Sequence, residues 1–138
     1  IFIASDHAGF VFKQKIIHYF SKKNNFNDLG TFNSIKSVNY PDYAHKLSKK
    51  VSSNSKNIGI LICGSGMGMA MSANKHKKIR AALCYSVKNA KLFRLHNNAN
   101  IITWGSRLIK KNTAFKCIKA FLNTNFEGGR HIKRVKKI

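Results

Sequence analysis

The run Ile58-Gly59-Ile60-Leu61-Ile62-Cys63-Gly64-Ser65-Gly66-Met67-Gly68-Met69-Ala70 constrains this chain more than any other stretch. An apolar, β-branched segment of strand length meets a cysteine, then glycines at alternate positions, then residues suited to a helix start. The pattern predicts a strand, a tight loop and a helix N-terminus. Cys63 then stands at the carboxyl end of a strand, where open α/β sheets bind ligands, with backbone N–H groups around it. A dinucleotide loop needs G-x-G-x-x-G and an acid about 20 residues later. Here Met69 takes the place of the third glycine, and the next carboxylate is Glu127. No Gly-Lys-Ser/Thr follows either, so a nucleotide P-loop is excluded.

The rest of the chain alternates in the same manner. Residues 1–4 read as a first strand, and Phe12, Ile16, Ile17 and Phe20 mark one face of a helix reaching about Lys23. A short strand follows near Phe26 to Leu29, then a polar loop. Pro41 suits the start of a helix whose buried face is Tyr43, Ala44, Leu47 and Val51. After the central strand and a helix from about Met67 to Lys75, Arg80 to Cys84 reads as a fourth strand. Ser86 can cap the next helix, which carries Ala90, Leu92, Phe93 and Leu95. Asn100 to Trp104 is a fifth strand, and Asn112 is expected to cap a helix with Phe115, Ile118, Phe121 and Leu122. A basic helix is expected from about residue 130. Strands and helices alternating at this spacing predict a single α/β domain over 1–138, a parallel sheet covered by helices on both faces.

The length suits one domain, and no apolar run approaches the roughly 20 residues of a membrane span. Because Ile1-Phe2-Ile3 already reads as strand, a few residues are expected to precede it. Cys63, Cys84 and Cys117 lack metal-ligand spacing, and their odd number argues against a disulfide framework. Free thiols in a reducing, cytoplasmic compartment are the expectation, with Cys84 and Cys117 as small buried hydrophobes.

The net charge is +22, from 26 basic and 4 acidic side chains. Such a balance suggests a nucleic-acid partner. The lysines, however, are scattered over separate elements, and no nucleic-acid-binding motif accompanies them. Abundant lysine, asparagine, isoleucine and phenylalanine fit an AT-rich coding bias better, so nucleic acid is not the expected partner. The four acids, Asp6, Asp28, Asp42 and Glu127, each fall at a turn or element end, where function concentrates.

Taken together, Asp6-His7-Ala8-Gly9, Asp28-Leu29-Gly30-Thr31, Tyr40-Pro41-Asp42, Cys63-Gly64-Ser65-Gly66-Met67-Gly68, His96-Asn97, Gly105-Ser106-Arg107 and Glu127-Gly128-Gly129-Arg130-His131 resemble the ribose-5-phosphate isomerase B family. That family also holds galactose-6-phosphate and allose-6-phosphate isomerases. The resemblance runs in order over nearly the whole chain. It implies a three-layer α/β/α sandwich, Rossmann-like, with five parallel strands, acting as a homodimer or homotetramer with active sites at the subunit interface. It implies interconversion of ribose 5-phosphate and ribulose 5-phosphate in the pentose phosphate pathway without metal or cofactor. By the same resemblance Cys63 is the base that moves a proton between carbons 2 and 1. Gly64, Ser65, Gly66, Met67 and Gly68 supply N–H groups to an enediolate oxygen, and His96 assists ring opening. Asn97, Asp6 and His7 contact substrate, and Arg107, Arg130 and Arg134 bind phosphate. Ser65 stands where threonine is common and keeps the hydroxyl.

The residues can supply this chemistry. Aldose-ketose isomerisation needs a base, donors for the developing oxyanion and an acid-base group for the ring. Arg130 and Arg134, spaced i and i+4, face one way on a helix and can fork a phosphate. Arginine is scarce, five among 26 basic side chains, which draws attention to these positions. His18, His45 and His76 are expected to be structural or solvated, while His131 remains open between structure and function. A six-carbon sugar phosphate, a regulatory domain that binds sugar phosphate without turnover, and a non-enzymatic nucleic-acid-binding module are the alternatives.

Overall fold

The structure, a computed structural model, describes residues 1–138. Five strands, β1 (Phe2–Ser5), β2 (Asn27–Asp28), β3 (Gly59–Cys63), β4 (Ala81–Leu83) and β5 (Ile101–Gly105), form one sheet. Its order is β2-β1-β3-β5-β4, and every pairing is parallel. Six helices connect and flank them: α1 (Phe10–Phe20), α2 (Tyr40–Ser52), α3 (Met67–Ala73), α4 (Val87–Asn97), α5 (Lys111–Leu122) and α6 (Arg130–Val135). The expected α/β/α sandwich is thus observed.

Alternation along the strands sorts the core into two layers, because successive side chains point to opposite faces. Ile60 and Ile62 join Ile3, Ile102 and Trp104 against Ile16 and Phe20 of α1, Ala90 of α4, and Cys117, Ile118 and Phe121 of α5. Leu61 and Cys63 face the other way, with Ala44, Leu47 and Val51 of α2 and Met69 and Ala73 of α3. Side chains of the Ile, Leu and Phe type contribute roughly 1.5–3 kcal/mol each when fully buried, which is why β3, closed on both faces, anchors the sheet. Cys63 therefore belongs to the α2–α3 side at the carboxyl end of β3.

Several expected boundaries shift. Helix α1 stops at Phe20, and α3 stops at Ala73, short of Lys75. Strand β2 keeps only two residues. Ser86 does cap α4, its hydroxyl oxygen accepting from the Asn89 N–H at 3.1 Å. Asn112 does not cap α5: the helix begins at Lys111 with Lys110 at the cap position and no side-chain cap bond, so Asn112 lies inside the first turn. On α1 the apolar stripe is interrupted by Lys13, which is fully buried. It forms an ion pair with Asp28 and donates to the Thr31 carbonyl at 2.7 Å, tying α1 to the end of β2.

Candidate active site

The chain leaves β1 and β3 in opposite directions across the sheet, so the loops at their carboxyl ends border a topological switch point. A pocket of about 370 Å³ opens there, lined by Asp6, Tyr40, Cys63, Gly64, Ser65, Gly68, Arg107 and Leu108. Asp6, itself buried, accepts from the Gly9 N–H at 2.9 Å and so shapes the β1–α1 loop as well as the pocket wall. His7 accepts from the Val38 N–H at 3.2 Å through Nδ1 and holds the segment that leads to Tyr40.

Cys63 is 4 % exposed, and the Gly66 N–H donates to its Sγ at 3.1 Å. This contact demands the glycine. Gly66 sits at φ +81, and a Cβ there would lie 2.4 Å from the Trp104 carbonyl carbon. Gly105 is equally confined, since a Cβ there would lie 2.6 Å from Gly64 O, so the β3 and β5 exits pack backbone to backbone. The N–H groups of Gly64, Ser65 and Gly68 donate to no acceptor within the chain and remain free for a ligand. Met67 opens α3 and is exposed, and its N–H, expected among the free donors, instead donates to Ser65 Oγ at 3.4 Å. The Arg107 guanidinium lies over Gly64, where a Cβ would be 3.4 Å from its Nη1. A recessed thiol, free N–H donors and a cation therefore share one pocket. Cys84 and Cys117 are fully buried in the opposite layer, and the neighbouring Cys117 thiol and burial push the Cys84 thiol up.

The remaining predicted residues lie elsewhere. In the sheet register Cys63 pairs with Gly105, the last residue of β5, whereas Asn97 ends α4 just ahead of Ile101, the first. At about 3.3 Å per strand residue, β5 alone separates these ends by roughly 13 Å. His96 and Asn97 thus occupy the amino end of the sheet. Helix α6 joins them there: His131 stacks on His96 with centroids 4.3 Å apart, and Glu127 N–H donates to the Leu95 carbonyl. Arg130 and Arg134 are exposed on this helix. One chain therefore brings Asp6, Cys63, the glycine loop and Arg107 together, and gathers His96, Asn97, Arg130 and Arg134 at the other end.

Three residues of these two groups were not singled out as site residues by the sequence. Tyr40 presses its ring on Gly68, where a Cβ would come within 2.4 Å; its place in Tyr40-Pro41-Asp42 was the available signal. Glu127 lies between two histidines, with Oε2 at 3.8 Å from His96 Nε2 and 3.4 Å from His131 Nε2, and hydrogen-bonds to neither. Burial, then the charge of His96, push the His131 imidazole below the ordinary histidine range; Arg130 and Arg134 add to this and Glu127 opposes it.

A parallel α/β/α domain with a thiol among free N–H donors at the switch point is the architecture of an enzyme that handles a small anionic or carbonyl substrate. The model of the Ribose/Galactose Isomerase family matches residues 1–138, and the chain belongs to that family. Ribose-5-phosphate isomerase B of Escherichia coli (strain K12) is 38% identical over 134 residues, covering 96% of this chain and 89% of its own. The crystal structure of a ribose 5-phosphate isomerase from Thermotoga maritima superposes with a TM-score of 0.94 at 47% identity, over 99% of this chain and 94% of that one. Ribose-5-phosphate isomerase B from Mycoplasma genitalium, solved with bound ribulose-5-phosphate, gives a TM-score of 0.93 at 45% identity, over 99% and 91%.

Proposed function

We propose that this protein interconverts ribose 5-phosphate and ribulose 5-phosphate, with Cys63 as the general base. The observation that carries the reading is the recessed Cys63 Sγ, contacted by the Gly66 N–H in a pocket where the N–H groups of Gly64, Ser65 and Gly68 are unengaged. The relative solved with ribulose-5-phosphate supports the choice of substrate. The thiolate takes the proton from carbon 2 of the open-chain aldose, and the electron pair moves to the carbonyl oxygen to give an enediolate. Returning the proton to carbon 1, while the hydroxyl proton of oxygen 2 passes to oxygen 1, gives the ketose with no net change in oxidation state. Free N–H groups of Gly64, Ser65 and Gly68 are placed to receive the developing oxyanion, and such a donor contributes roughly 2.7–4 kcal/mol in acyl-transfer enzymes.

The ring opener and two phosphate arginines are supplied by a second copy. A continuous site then consists of Asp6, His7, Cys63, the glycine loop and Arg107 of one chain and His96, Asn97, Arg130 and Arg134 of the other. The separation of these groups within one chain supports that assembly. The unpaired thiols fit a cytoplasmic enzyme of the pentose phosphate pathway.

Turnover of ribose 5-phosphate, with exchange of the carbon-2 hydrogen into solvent, tests the reading. Cys63→Ala is expected to fold normally and to lose about 10²–10⁴-fold in kcat, the range of a positioned base; near-normal turnover overturns it. Higher kcat/KM on allose 6-phosphate or galactose 6-phosphate would reassign the substrate to the six-carbon class.

A further inference from the structure

We propose that His96, Glu127 and His131 form an inhibitory binding site for a borderline divalent cation of the Zn²⁺ type. Two imidazoles and a carboxylate are a donor set that suits Zn²⁺, Co²⁺ or Ni²⁺. Their three ligand atoms lie within 4.8 Å of one another. Glu127 Oε2 stands 3.8 Å from His96 Nε2 and 3.4 Å from His131 Nε2. Donor atoms on a tetrahedral ion with bonds of about 2.0–2.2 Å are roughly 3.4 Å apart, near the present spacing, but the His96 and His131 rings are stacked at 12°, so binding requires His96 to turn off the stack until both Nε2 lone pairs meet at the ion. Two of the three side chains are free to move, since His96 is partly exposed and Glu127 largely so.

An independent observation points to a ligand. The His131 side chain is 6 % exposed, and its Nε2 has no hydrogen-bond partner although Glu127 Oε2 lies 3.4 Å away. Buried imidazole nitrogens ordinarily find a donor or acceptor, and an unpartnered one beside a carboxylate and a second imidazole has the setting of a ligand. Arg130, Lys133 and Arg134 on α6 place positive charge nearby, which weakens cation binding and favours a site that responds to excess metal over one that is permanently filled. Binding needs no redox step; at most it displaces a proton from an imidazole.

The consequence for turnover rests on the assignment of His96 as ring opener. An ion on Nε2 takes the lone pair that would accept a proton from the sugar, so the cation blocks ring opening. Cobalt serves as the probe. Co²⁺ is titrated into the full chain and read by its visible d–d absorbance, with Zn²⁺ as competitor, for wild type, Glu127→Gln and His131→Gln. Wild type is expected to bind a single Co²⁺ per chain, and each variant to bind it roughly ten-fold or more weakly. Glu127 is exposed, so Glu127→Gln keeps the test valid even where His131→Gln disturbs packing. Unchanged Co²⁺ affinity in Glu127→Gln, no saturable binding, or a thiolate charge-transfer band from Cys63 would overturn the site. In the isomerase assay Zn²⁺ is expected to inhibit wild type reversibly, with recovery on chelation. Saturated binding with undiminished turnover would overturn the inhibitory role and would also remove His96 from ring opening.

Discussion

Gly66 is held in a left-handed conformation with the Trp104 backbone pressed where a side chain would start. Alanine there meets two obstacles. The backbone strain alone costs roughly 1–3 kcal/mol, and the clash cannot be relieved without parting β3 from β5. Gly66→Ala should therefore lower the melting temperature, and should also lower kcat, because its N–H can no longer reach Cys63 Sγ at 3.1 Å. A variant with normal stability and normal kcat would show that the loop tolerates a side chain after all. Tyr40 illustrates the converse at this scale: its ring closes over Gly68, so the alternate glycines admit both backbone and a neighbouring aromatic.

Between elements, two long-range contacts invite measurement. Lys13 joins α1 to Asp28 of β2 and to the Thr31 carbonyl, and burial lowers its pKa while Asp28 opposes that shift. Removing one member of a buried pair leaves the other uncompensated, at roughly 3–5 kcal/mol. Since Asp28 keeps some solvent contact, Lys13→Met is expected to cost about 3 kcal/mol in denaturant unfolding, and a cost below 1 kcal/mol would contradict the account. His45 of α2 and His76, in the turn after α3, share a hydrogen bond of 2.8 Å. Burial, then the charges of His45 and Lys49, lower the His76 pKa. The unfolded chain takes up this proton first as pH falls, so stability present above the ordinary histidine pKa is lost on acidification through the folded value. The melting temperature should drop between pH 7 and 5, and His76→Gln should flatten part of that drop; an identical profile in the variant would exclude this source.

For the whole molecule, the deciding fact is that α4 runs back from the carboxyl to the amino end of the sheet and carries His96 away from Cys63. Two copies resolve this in the proposed assembly, and a complementation experiment reads it directly. Cys63→Ala and His96→Ala, each inactive alone, are unfolded together and refolded. A mixed dimer then holds one doubly defective site and one intact site, so up to about a quarter of wild-type activity should return, by the statistics of random pairing within a two-chain assembly. No recovery on verified mixing would place both residues of a site in one chain. The net charge of +22 adds no contrary pattern, for its lysines are dispersed over separate helices and turns.

The strand-and-helix alternation, the parallel sheet and the position of Cys63 in its glycine loop were legible from the amino acids, because periodicity, glycine spacing and capping residues act over a few neighbouring positions. Expected ends slipped by a few residues, and Asn112 was misread as a cap because a helix start also depends on what the preceding loop packs against. The burial of Lys13, the His45–His76 bond and the Glu127 bridge needed the fold, since each joins positions that only packing brings together. The same holds for the division of the candidate site. The sequence named residues at both ends of the sheet, and only the parallel register and the return path of α4 decided that one chain keeps them apart.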